Sequence, residues 1–126
     1  MTASLYPKPV TGDANERPFP LGGLWALLVG GLLVTVLVVA LDPITRQQDC
    51  PNYGAAGNAS VFANPAWDIY LPLMLLGWVA LVLAEQAFPT TWRHRSRLTF
   101  LGRAATAVTV SLTGSCFIGA QLLICH

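Results

Sequence analysis

The sequence predicts an all-α membrane protein with three transmembrane helices, its N-terminus cytoplasmic and its C-terminus extracytoplasmic. Three observations carry this. Of the 126 residues, 54% are hydrophobic and only 10% charged, too few charges to wet the surface of a soluble domain of this length. The charges are nearly absent from three long apolar blocks and are gathered in the connections between them. Basic residues crowd one side of those connections, as the positive-inside rule requires of cytoplasmic segments.

Residues 1–20 form a tail with Pro7, Pro9, Pro18 and Pro20, expected to be extended, without a fold of its own, and to rest on another surface. Residues 21–41 are the first transmembrane segment, an uncharged run whose only hydroxyl is Thr35, closed by Asp42-Pro43. A cleaved signal peptide would have a shorter apolar core. Residues 42–65 make an extracytoplasmic loop rich in Asn, Gly, Ala and Pro. The second span, residues 66–88, is expected to start with Asn64 as N-cap and Pro65 in the first helical position. Asp68 would sit in its first turn, and Trp67, Tyr70 and Phe88 near its ends. Residues 89–103 form a basic cytoplasmic loop, and residues 104–126 the third helix and C-terminus, which is the most polar span yet has no charge after Arg103.

Six of the seven basic residues lie in the tail (Lys8, Arg17) and the second loop (Arg93, Arg95, Arg97, Arg103), which three spans place on one side. Those four arginines are read as the cytoplasmic anchor, lying in the headgroup layer. The first loop holds Arg46 among Asp42, Asp49 and Asp68. One lysine against six arginines, with Leu, Val and Ala favoured, hints at a GC-rich bacterial genome. Multi-pass insertion in the inner (plasma) membrane follows as the expected location.

This topology brings Cys50 and Cys125 to the outer face, where disulfides persist, and predicts a bridge between them. Cys116, deeper in the third helix, is expected to be a packing residue. The spacing of the cysteines suits neither zinc nor a Cys-x-x-Cys redox pair. His94 and His126 belong to opposite faces, which excludes a two-histidine haem or metal site within one chain. Glu85, the one ionisable residue near a span interior, lies close to the cytoplasmic end, where an ion pair with Arg93 or Arg95, or contact with headgroups, is expected.

The third helix repeats small residues every four positions, Ala107, Ser111, Ser115 and Gly119, and the first offers Gly22, Ala26 and Gly30 at the same spacing. These are expected helix–helix interfaces, because membrane helices associate through close packing of small residues. Thr106, Thr109, Thr113 and Gln121 lie off that ridge and predict a second contact surface.

With no catalytic set in any stretch, the expectation is a non-catalytic accessory subunit of a larger bacterial membrane complex. It would have larger membrane subunits and the bilayer as partners, no nucleic acid, no cofactor of its own, and lipid contacts. In size and composition, though in no motif, the chain resembles the small multi-span extra subunits of actinobacterial respiratory cytochrome assemblies, which implies a respiratory complex as the setting. A self-associating transporter or channel is the alternative, but it needs an ionisable group at mid-membrane, which the chain lacks. A membrane assembly factor is a further alternative.

Overall fold

The computed structural model describes residues 19–126, so all of the expected tail except Phe19 and Pro20 lies outside the described residues. Those described form helices and loops with no strand. The main elements are α1 (Trp25–Leu41), α2 (Trp67–Ala87), the single turn α3 (Pro89–Trp92) and α4 (Arg97–Ala120). Two helices are long and apolar enough to cross a membrane: α2, and α4 with the tight turn that extends it to Leu123. The third, α1, has 17 residues and is shorter. Their apolar side chains point largely outward, with Leu32 66%, Val39 73%, Leu76 67% and Phe117 73% exposed. The core helix of a water-soluble domain would bury such residues.

Local chemistry sets each end. A turn, Phe19–Gly23, precedes α1 and bends through Gly23 at φ +86°, beside the Thr91 methyl. Leaving α1, Asp42 adopts the left-handed conformation (φ 47°) and Pro43 prevents another helical turn. At the start of α2, Asn64 accepts the Ala66 N–H through Oδ1 at 3.0 Å, but the capping position is Ala66 itself. Asn64 and Pro65 therefore shape the turn before the helix instead of its N-cap and first position. The third helix starts at Arg97, seven residues before the expected residue 104, because Ser96 accepts the Thr99 N–H at 3.3 Å and caps it there. Much of the expected loop 89–103 is thus helical.

The centre of the molecule is α2, lying between α1 and α4. Its buried face, Leu71, Leu75, Trp78, Val82 and Gln86, repeats at intervals of three or four residues. Trp78 is the large knob of the bundle. Cβ atoms added at Gly30, Gly31 and Gly114 would stand 2.5, 3.1 and 3.2 Å from its ring, so both neighbouring helices admit the indole by having no side chain there. Its Nε1–H donates to the Ala26 carbonyl at 3.2 Å. Gly30→Ala forces an unyielding ring to move and is expected to cost about 1 to 3 kcal/mol, read as a lower SDS fraction at the unfolding midpoint in mild micelles.

At the other end the 42–66 loop folds over the bundle. Cys50 and Cys125 form a disulfide across 75 residues, with both side chains buried. Ile44 N–H donates to the Val61 carbonyl at 3.0 Å and Ala59 N–H to that of Cys125 at 3.2 Å, enclosing Val61 and Phe62.

Candidate functional site

The most elaborate polar arrangement lies where the start of α1 meets the end of α2 and the arginine segment. The first amides of α1 have no intrahelical acceptor, and among the described residues α1 has neither a side-chain cap of its own nor an acid in its first turn. Glu85 of α2 supplies both. Trp25 N–H donates to Oε1 at 3.2 Å and Ala26 N–H to Oε2 at 2.7 Å, placing the carboxylate on the positive end of α1. The next residue, Gln86, is buried and donates through Nε2 to the Gly23 carbonyl. Thr91 Oγ1 donates to the Glu85 carbonyl at 2.6 Å and so ties α3 to the same point.

The arginines divide into two kinds. Arg95 Nη2 donates to the carbonyls of Phe19 (3.0 Å) and Gly22 (2.8 Å), and Arg103 Nη2 to those of Pro20 (2.6 Å) and Gly22 (3.2 Å). Burial first, and the charge of Arg103 second, lower the Arg95 guanidinium below its ordinary value. Arg93 and Arg97 are exposed. The expected ion pair of Glu85 with Arg93 or Arg95 is thus replaced by backbone partners: the carboxylate takes amides of α1, and the guanidiniums take the carbonyls just before it. Both choices satisfy main-chain groups that no helix ladder reaches. Glu85→Gln keeps the shape but loses the charge facing the helix end, and is expected to cost about 1 kcal/mol in the same SDS titration.

The small-residue ridge of α4 turns inward. Ala107 and Ser111 are fully buried, Ser111 Oγ donates to the Val108 carbonyl at 3.0 Å, and Gly119 lies against Leu75. Ser115 Oγ is buried without a partner among the described residues. The main partner of this ridge is α2, and not Ala26 and Gly30 of α1, which instead meet Trp78 of α2. Thr106, Thr109 and Thr113 lie outward, with Cys116 exposed beside them. His94 and His126 sit at opposite ends of the bundle. Among the described residues no three His, Cys, Asp or Glu side chains gather as a metal ion would need.

Trp78 and Gln86 escaped the sequence reading. The signal available for Trp78 was its position: an indole mid-span, away from the interfacial belt, needs small neighbours and an acceptor. Compared with known protein families, with curated proteins and with solved structures, the chain matches none.

Proposed function

We propose that the chain is a three-span, non-catalytic accessory subunit of a larger bacterial membrane complex, with the arginine segment in the cytoplasm and the disulfide-held loop outside. The observation that carries this reading is the outward face of α4. Gly102, Thr109 and Cys116, and beside them Thr106, Thr113 and Ala120, recur every seven residues on its exposed side. The inward ridge is already filled by α2, so this is a second seam of small and hydroxyl side chains. Lipid offers such a seam little close packing, whereas another helix fits it. For α1, 17 residues fall at the short limit for a span, and the turn from Phe19 to Leu24 adds length at the arginine end. The crowding of arginines at that end supports its assignment to the cytoplasm. By size and composition, a respiratory cytochrome assembly is the first complex in which to look.

Purification in mild detergent, with mass spectrometry of co-purifying chains, tests the reading. A larger membrane protein in fixed ratio is expected, and Thr109→Leu with Thr113→Leu should release it while leaving the chain helical. A homo-oligomer alone would instead favour the small transporter or channel.

A further inference from the structure

Two depressions meet at the arginine-bearing end. One is an open groove of about 520 Å³ between α1 and α2, walled by Trp25, Leu81, Ala84 and Phe88. The other is a cleft of about 180 Å³ bordered by Phe19, Thr90, His94 and Arg95. They share Gly22, Thr90 and Thr91 as lining, so an apolar trough leads into a pocket edged by a hydroxyl, an imidazole and a guanidinium. Of the five N–H donors of Arg95, Nη2 supplies the two bonds to Phe19 and Gly22, and among the described residues those on Nη1 and Nε make no hydrogen bond. Arg103 stands beside it, since both guanidiniums bond the same Gly22 oxygen. Glu85 also borders the trough, but its carboxylate is engaged by the Trp25 and Ala26 amides.

We propose that this composite cleft binds one anionic phospholipid, its phosphate held by Arg95, His94 and Thr90 and an acyl chain lying in the trough against Leu81, Ala84 and Phe88. Charge complementarity selects the occupant. A lone anion would leave the trough unfilled, and an apolar helix would leave the cationic cleft without a counter-charge. The inference rests on the chain lying in a bilayer and does not depend on partner subunits.

The test is native mass spectrometry of the full chain in detergent. It would be titrated with phosphatidylglycerol, with phosphatidylcholine of the same acyl chains, and with glycerol phosphate. One phosphatidylglycerol is expected to be retained about tenfold more tightly than phosphatidylcholine, and glycerol phosphate at equal concentration should not displace it. Two variants separate the parts of the site: Thr90→Val with His94→Leu removes headgroup donors, and Ala84→Trp fills the trough. All three positions are exposed, and each variant should bind phosphatidylglycerol about tenfold more weakly with unchanged helicity. Equal retention of phosphatidylcholine, displacement by glycerol phosphate alone, or undiminished binding by either variant overturns the proposal. Loss of a co-purifying subunit leaves it standing.

Discussion

Trp78→Ala is expected to destabilise the bundle by about 3 to 5 kcal/mol, the range for emptying a buried aromatic site. The case for the upper part of that range is local. The indole is bounded by Gly30 and Gly31 on α1 and Gly114 on α4, so no neighbouring side chain at those positions can swing into the void. In a bilayer the helices gain nothing by leaving lipid, and the packing lost around Trp78 is the force that joins them. The Ala26 carbonyl also loses its indole donor. Trp78→Phe keeps most of the ring and removes the N–H, for an expected loss nearer 1 kcal/mol from the hydrogen bond and a smaller cavity term. SDS titration of both variants in mild micelles, followed by circular dichroism, measures the difference. Equal midpoints for Trp78→Ala and the parent would mean that the three helices are not joined through this residue.

Breaking the Cys50–Cys125 bridge is the second large effect. A crosslink closing 75 residues restricts the unfolded chain by about 4 kcal/mol in the loop-entropy model. Cys50→Ala with Cys125→Ala should lower stability by that order. The damage should be uneven, because the Ala59 and Asn52 hydrogen bonds to the Cys125 carbonyl are weak ties without the covalent one. Limited proteolysis is expected to cut first within residues 42–65, while α2 and α4 persist as protected fragments.

The helical architecture was legible because an apolar run and a proline are written in the chain itself. The disulfide was legible for a related reason: the order of the spans places Cys50 and Cys125 at one end, leaving a single pairing there. The start of α4 was not, since Arg97 and Arg103 were read as loop charges although arginine is compatible with a helix and Ser96 caps one. The setting of Glu85 was hidden for a different reason. Its partners are the main-chain amides of Trp25 and Ala26, and every residue but proline has such an amide, so no residue type marks them. The partners of Arg95 and Arg103 are likewise carbonyls. The ridge on α4 was visible from its four-residue repeat, but repetition names a face without naming what covers it. Trp78 settles that by filling the glycine gaps of α1 and α4 at once, which places α2 between them.

The proposed function requires three helices crossing the membrane with the arginine segment inside. The most direct measurement is thiol accessibility in intact cells, in a Cys116→Ala background that keeps the disulfide. Ala56→Cys in the exposed loop and His94→Cys in the arginine segment would be tested separately with a membrane-impermeant maleimide. Ala56→Cys is expected to be labelled in intact cells and His94→Cys only after permeabilisation. Labelling of both without permeabilisation, or the reverse order, would contradict that topology.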